Sequence, residues 1–469
     1  MAYHESMYFL VFLPVVLIGY QLAPKQVRLG VLLFFSYCFY FLFSHRLIVY
    51  LLGATTITYL TGRLVATGEK KRRKTILIVG VWLLLGMLLV MKYSGFFAEN
   101  LNALFGTMNF GFRFPVRRFL LPLGISFYTL SAIGYMADVY WKKIEPERNI
   151  AKLALFLSFF PIIMEGPICM YSDTAETLAK GEDIRSENLI RGYMRIGWGL
   201  LKKVVIADRL YVVVQTLFDG YASYHGVMIV VAAVSYTVQL YMEFSGCMDI
   251  VIGSAECFGV TLPENFAQPF VSKNASEFWR RWHISLSSWF RDYVYIPLGG
   301  GRAGKEKTYR NLFVTMLLSG IWHGANWTFI VWGVLHGVGS AVHKIFRDIK
   351  GKADKRTNPA VSFICIVGNC IFVALLWVVF RATDMGQAME VLSGLFRMTG
   401  ITYINVYVVI YFVIIAVVHI LGAIKNNGHA FEVKLDLDTF KGQFILFTWI
   451  FLIIAFMYVG DSAFIYAQF

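Results

Sequence analysis

The sequence predicts an all-α, polytopic membrane protein of about 11–12 transmembrane or re-entrant helices. Three observations predict it. The 469 residues are 58% hydrophobic and only 15% charged, where a soluble chain carries roughly a quarter charged residues. Mean hydropathy is +0.61. Apolar runs of about 20 residues, the length that crosses a bilayer core, recur from end to end.

The runs fall at 7–24, 29–44, 47–65, 76–95, 118–140, 151–171, 189–218, 226–246, 311–340, 360–380, 402–423 and 443–461. The first lacks a basic leader and a small-residue cleavage site, so it is expected to be retained as a helix. The run at 189–218 is too long for one simple crossing. No internal repeat or low-complexity segment interrupts the series, so 1–469 is read as one membrane domain. Peripheral helices are expected at 1–110 and 360–469, with a catalytic core at 118–345.

Charge orients the helices. Lys25 with Arg28, then "KKRRK" at 70–74, then Lys344, Arg347, Lys350, Lys352, Lys355 and Arg356, then Lys425, Lys434 and Lys441 are the basic connectors. Basic connectors stay on the cytoplasmic side, which puts both chain ends outside. The net charge of +14 is accounted for by these connectors meeting anionic lipid. A nucleic-acid partner would need a polar basic domain or arm, and there is none. Cys38, Cys169, Cys247, Cys257, Cys365 and Cys370 lie in or beside apolar runs without a CxxC pair, as small buried hydrophobes do.

Residues 247–310 break the pattern, being polar yet rich in tryptophan and tyrosine. Asn274 and Glu277 stand at capping-box spacing. Phe278, Trp279, Trp282, Leu286, Trp289, Phe290 and Tyr293 then recur every three or four residues. That period predicts an amphipathic helix over 272–300 lying at the cytoplasmic interface. Arg280, Arg281, Ser287, Ser288 and Arg291 take its other side, and Pro297 with "LGGG" ends it. His283 falls on the apolar side, pointing inward, either as a satisfied interfacial ring or as a functional one.

Nine histidines are present, most near span ends. His419, in "VIIAVVHILGA", reads as a packing residue. His323 stands apart, set deep in "LSGIWHGANWTFIVWGVLHG" between Gly320 and Gly324, which let backbone or ligand approach. An ionisable group at membrane depth is a functional candidate, and imidazole removes a proton from a hydroxyl near neutral pH. Asn326, three residues on, is expected on the same helical face, where it would bond the ring or a substrate carbonyl. His336 lies about 220° around an ideal helix, so the two rings share no face unless the glycines break the helix. No HxxxH, HExxH or GxSxG pattern occurs, nor a dinucleotide-binding glycine loop.

These residues carry a resemblance. "LPLGISFYTLSAIGYMADVY" at 121–140, "FFPIIMEGPICMY" at 159–171, "GLLKKVVIADRL" at 199–210, "QLYMEFSGCMDIVIG" at 239–253 and "LPENFAQPF" at 262–270 are spread over most of the chain. "FWRRWHISLSSWFRDYVYIPLGG" at 278–300 and "GIWHGANWTFIVWGVLHG" at 320–337 are the most specific of the set. The chain resembles the bacterial branch of the membrane-bound O-acyltransferase family, nearest its alginate-acetylating members. The D-alanyl transfer proteins of teichoic acid synthesis are closer cousins than the eukaryotic enzymes. Glu165, Cys169–Met170, Glu243 and Ala467 depart from the pattern.

The resemblance implies a ring of helices around a funnel narrowing at His323. It makes His323 and His283 catalytic and places Trp282, Trp322, Arg291, Asp292 and Tyr293 beside the substrate. It implies a cytosolic thioester donor, acetyl-coenzyme A or an acyl carrier protein, and no permanently bound cofactor. It also implies a bacterial inner-membrane setting and a separate extracytoplasmic partner of SGNH type. Arg280, Arg281, Arg302 and Lys305 are candidates for the donor's phosphates, or equally for membrane-surface anchoring. D-alanyl transfer, a non-enzymatic polysaccharide or lipid flippase, and a scaffold for an extracellular enzyme remain open as alternatives.

Overall fold

Among the described residues helix takes up most of the apolar runs, because a backbone in hydrocarbon has to satisfy its own hydrogen bonds. The computed structural model describes residues 3–117, 119–302, 304–350, 358–397 and 435–456. In chain order the helices are α1 Leu13–Leu22, α2 Arg28–Ser44, α3 Ile48–Ala66, α4 Lys70–Thr107, α5 Ile125–Tyr140 and α6 Ile150–Ser158. They continue with α7 Tyr171–Ala179, α8 Ser186–Leu200, α9 Asp208–Asp219, α10 Val227–Glu256, α11 Ala275–Trp279 and α12 Ile284–Phe290. The last are α13 Lys305–His323, α14 Trp327–Lys350, α15 Pro359–Arg381, α16 Met385–Gly394 and α17 Phe440–Phe456. Among the described residues the strand-like pairing is one isolated bridge, Phe266 to Trp282. Among the described residues five segments are long and apolar enough to cross a membrane: Lys25–Ala66, Lys70–Thr107, Val227–Glu256, Trp327–Ile349 and Pro359–Arg381. The chain is an all-α multi-pass membrane protein. The run at 402–423 with His419, the basic residues Lys352, Lys355, Arg356, Lys425 and Lys434, and Ala467 lie outside the described residues.

The chain divides into two units, one running to Ile196 and taking in Val251–Pro263, the other comprising Gly197–Ile250 and the chain from Glu264 onward. In the first unit the run at 151–171 is not the single helix expected. It is helical as α6 and then becomes a buried, non-helical stretch through "FFPIIMEGPICM". Pro161 and Pro167 cannot donate to a helical ladder. The backbone groups released there find side-chain partners: the Phe160 N–H donates to Ser36 Oγ at 3.1 Å, and the Tyr3 hydroxyl donates to the Phe160 carbonyl at 2.8 Å. The same hydroxyl accepts the Met164 N–H at 3.2 Å. Gly124, at φ +66°, allows the approach of this stretch, because a Cβ there would sit 1.8 Å from the Ile163 carbonyl oxygen.

The run at 189–218 is interrupted, within the second unit, by a π-helical segment, Leu201–Ala207, between α8 and α9. Its five-residue repeat matches the spacing of Lys203 and Asp208. Lys203 Nζ lies 2.8 Å from Asp208 Oδ1 and 2.9 Å from Glu243 Oε1, with all three side chains at most 4% exposed. Removing one partner of such a triad would leave a buried charge uncompensated, at about 3–5 kcal/mol. The departure at Glu243 is thus absorbed by a lysine reaching it from the π turn.

The stretch at 311–340 is not one helix either. α13 and α14 form a tight antiparallel hairpin, broken at Gly324–Asn326. Gly320 and Gly333 let the two backbones meet: a Cβ at Gly320 would lie 2.4 Å from the Phe329 carbonyl oxygen and 2.9 Å from Gly333 Cα. Close backbone approach through small residues is how helices associate in a membrane. Gly320→Ala should therefore force the hairpin apart, at about 1–3 kcal/mol of overpacking. Gly86→Ala, where nothing stands within 4 Å, should be neutral or slightly stabilising. Thermal unfolding of the two detergent-solubilised variants checks this, and equal midpoints would contradict the hairpin packing.

Candidate active site

The hairpin break sets His323 at the tip of α13 rather than in mid-helix. Gly324 leaves the helix in extended conformation, and a Cβ there would lie 2.3 Å from the Phe329 ring. Asn326 then starts α14. Its Oδ1 accepts the Thr328 N–H at 3.1 Å and its Nδ2 donates to the Thr383 carbonyl at 2.7 Å. This corrects the expectation that Asn326 shares a face with His323 and orients the ring or a substrate carbonyl. With the helix broken between them, the asparagine caps the next helix instead.

The His323 ring is 3% exposed and its Nδ1 lies 2.7 Å from the Ser319 carbonyl oxygen. A carbonyl only accepts, so Nδ1 carries the hydrogen and donates it. The neutral ring therefore keeps its lone pair on Nε2, the arrangement a general base needs. Trp322, Trp332 and Phe380 surround it, with ring centroids 5.1, 4.9 and 5.5 Å away.

The predicted amphipathic helix over 272–300 is two short helices, α11 and α12, broken at His283. Asn274 caps as read, its Oδ1 accepting the Glu277 N–H at 2.9 Å, while Glu277 Oε2 reaches back one residue further and accepts the Lys273 N–H at 3.1 Å. Its aromatic stripe is buried, with Phe278, Trp282 and Leu286 at 0, 1 and 1% exposure. His283 adopts φ +45° and ψ 55°, a left-handed conformation that strains a non-glycine residue by about 1–2 kcal/mol.

Asn265, wholly buried, holds that turn. Its backbone carbonyl accepts the Ile284 N–H and its Oδ1 accepts the Ser285 N–H, each at 3.0 Å. The imidazole so positioned lies inward, as read from the sequence, 4.8 Å from Phe244 and 6.3 Å from Trp322 by ring centroid. Trp322 thus stands between the two histidines carried over from the family pattern. Asn265 was missed by sequence reasoning. It lies in the quoted "LPENFAQPF" stretch, but nothing local tells that its carboxamide caps a turn some twenty positions on.

His336 joins the same neighbourhood because the glycines do break the helix. Its ring and that of His323 both pack edge-on against Trp332, at 4.8 and 4.9 Å. Among the described residues no group of three His, Cys, Asp or Glu side chains is placed to hold a metal ion.

A cavity of about 290 Å³ runs along the hairpin. Trp279, Met316 and Ser319 line it, and Ser319 is the residue whose carbonyl holds His323. Ser319 stands one helical turn before His323, and the His323 ring itself is not in the cavity wall. Arg280, Arg291, His343, Lys344 and Arg347 also line it. The antiparallel pairing puts His343–Arg347 at the base of the hairpin, roughly 20 Å along the axis from the tip.

These cations differ in availability. Arg291 is taken up by Asp292 in a two-pronged pair at 2.7 and 2.9 Å, and Lys344 is paired with Asp348. Arg280 and Arg347, the two that act electrostatically on His343, make no ion pair among the described residues. Arg347 was read only as a connector that orients the helices and His343 was not singled out, because they look like any basic helix end.

The other residues expected at the site separate. Trp282 is 1% exposed and packs into Phe266, Phe278 and Trp377 rather than facing the cavity. Arg281 is tied to Glu277 at 3.1 Å and to the Ala267 carbonyl at 3.1 Å, so it braces α11 and is not available to phosphate. Asp292 is spent on Arg291, and Tyr293 packs on Trp289 at 5.2 Å, away from the cavity wall. Arg302 and Lys305 are exposed and do not line it.

Asn265→Ala removes one cap and leaves the buried Ser285 N–H without its acceptor, at about 1–3 kcal/mol. It should lower the unfolding temperature by several degrees and reduce activity by releasing His283. An Asn265→Ala protein as stable and active as the parent would refute this positioning.

Comparison with known proteins places the chain. A sequence model of the membrane-bound O-acyltransferase family matches residues 147–379, which include His283, His323, His336 and the whole cavity wall. The chain is 37% identical to a probable alginate O-acetylase of Pseudomonas putida, over 84% of this chain and 80% of that protein. It is 32% identical to a peptidoglycan O-acetyltransferase of Helicobacter pylori, over 85% of this chain and 80% of that protein. A teichoic acid D-alanyltransferase of Bacillus subtilis is 29% identical, over 50% of this chain and 61% of that protein. The chain belongs to the membrane-bound O-acyltransferase family and is an O-acyltransferase.

Proposed function

We propose that this membrane enzyme moves an acetyl group from a cytosolic thioester, coenzyme A or a phosphopantetheine carrier, toward a hydroxyl of an extracytoplasmic polymer. His323 is the general base. The observation that carries this reading is the Ser319 carbonyl 2.7 Å from His323 Nδ1, which holds the ring's hydrogen on Nδ1 and so puts the basic lone pair on Nε2. Nε2 takes the proton of the acceptor hydroxyl as its oxygen bonds to the thioester carbonyl carbon. The C–S bond then breaks, and the departing thiolate takes the proton back from Nε2–H. His283, behind Trp322, positions the reactants. A single membrane domain built around this core is part of the reading.

The cavity supports the donor assignment. Its free guanidiniums, Arg280 and Arg347, lie at the end that the basic connectors put inside, and guanidinium matches phosphate geometry. The other end reaches the turn that holds His323. A pantetheine arm is a long, thin chain with a phosphate at one end and a thioester at the other, and the cavity has that polarity. The protein would sit in the inner membrane of a bacterium, handing the acyl group to an extracytoplasmic partner of SGNH type. Acetyl is favoured over D-alanyl because the O-acetylating relatives match over 84–85% of the chain and the D-alanyl relative over 50%. A flippase does not consume a thioester, and the family assignment disfavours it.

His323→Ala should abolish acyl transfer while the purified protein keeps its unfolding temperature; unchanged acylation of the polymer would rule out the base. Arg280→Ala with Arg347→Ala should raise KM for acetyl-coenzyme A at least tenfold, with little change in kcat. A short acetyl thioester without phosphates should be unaffected by the same pair. Equal effects on both donors would remove the phosphate contact.

A further inference from the structure

Buried N–H groups in native proteins nearly always have an acceptor. Three beside the site do not. The Trp332 indole N–H, the His336 Nε2–H and the Trp377 indole N–H are buried and make no hydrogen bond to any described residue. For His336 the hydrogen's position follows from chemistry. Trp279 Nε1–H donates to His336 Nδ1 at 3.3 Å, and an indole nitrogen cannot accept, so the ring's own hydrogen is on Nε2. Trp332 and His336 are both 0% exposed, so bulk solvent does not serve these donors.

Their placement is specific. Trp332 touches His323 on one side, at 4.9 Å between ring centroids, and His336 on the other, at 4.8 Å. It also packs on Trp279, 5.5 Å away, whose indole lines the cavity. A thioester brought past Trp279 to the His323 base therefore has its carbonyl among these donors. Trp377 is one ring further out, stacked on Trp332 at 5.5 Å.

Resting on the donor and base assigned above, we propose that Trp332 and His336 are the carbonyl-binding donors of the site. When the acceptor oxygen attacks the thioester carbon, the C=O π pair moves onto the carbonyl oxygen. Trp332 Nε1–H and His336 Nε2–H bond the resulting oxyanion until the C–S bond breaks and the carbonyl re-forms. Donors held without an acceptor in a dry aromatic cage stabilise developing charge without reorganising. The pair adds a second polar element to a site where Asn326 is turned away. Trp279 acts as a positioning residue, because its bond to Nδ1 keeps the His336 hydrogen on Nε2.

The test uses the full chain in nanodiscs with acetyl-coenzyme A, and with its unreactive ketone analogue, carbonyl-labelled with carbon-13, for infrared spectroscopy. Trp332→Phe keeps the ring and removes the N–H. It should lower kcat about 10²–10³-fold, as loss of one such donor does elsewhere, with little change in KM. The bound ketone's carbonyl band, lowered in the parent by hydrogen bonding, should return toward its free frequency. Trp377→Phe makes the same chemical change one ring away and should leave both readings unchanged. His336→Leu should lose rate, and His336→Gln, which keeps an N–H donor, should recover part of it; this pair decides the matter if Trp332→Phe does not fold.

A Trp332→Phe or His336→Leu protein with parental kcat and an unmoved carbonyl band overturns the proposal, and leaves the base and donor assignments standing. A parent protein that consumes no thioester overturns those assignments, and this one with them.

Discussion

One backbone break organises the active region. If α13 ran on into α14 as a single helix, His323 would be a mid-span histidine, its ring exposed to whatever packed alongside. Turning back at Gly324–Asn326 makes the histidine a helix tip. The ring folds onto the carbonyl four residues earlier, and the returning helix delivers Trp332 and His336 against it. The glycines at 320 and 333 are what let the return be tight enough for those rings to meet. Without that approach there would be no aromatic cage.

The second constraint is the strained turn at His283. A left-handed histidine persists only where its surroundings over-determine it. The surroundings here are the buried Asn265 and the short bridge between Phe266 and Trp282. These contacts come from a loop distant in sequence, and they convert a would-be interfacial helix into two short pieces with a ring aimed inward. The charged groups follow the same economy. Two of the four lysine and arginine side chains in the cavity wall, Arg291 and Lys344, are neutralised by a neighbouring carboxylate, so the basic character of the wall narrows to Arg280 and Arg347 around His343.

Much of this was legible beforehand, for identifiable reasons. Hydrophobic run length marks a membrane helix because lipid admits little else. The cap at Asn274 is a local bond between residues three apart, and it formed as spaced. The inward face of His283 and the special status of His323 followed from periodicity and from the cost of an imidazole in an apolar run. What periodicity could not show is where a helix stops in mid-run. "FFPIIMEGP" and "WHGANW" are both apolar enough to be helical, and each is diverted by glycine or proline whose effect depends on a partner elsewhere. Arg281 and Arg280 are adjacent and identical in type, yet one braces Glu277 and the other faces the cavity.

The sequence by itself determined the all-α membrane class and the family, and it singled out His283 and His323 as the candidates for the chemistry. These depend on composition, run length and short motifs, which are properties of neighbours along the chain. The tertiary structure alone decided the hairpin, the loss of Asn326 to a helix cap, and the gathering of His336 and Trp332 around His323. Each of those depends on which groups meet across tens of residues, and a hydrogen bond or ring contact between distant segments leaves no periodic trace in the order of amino acids.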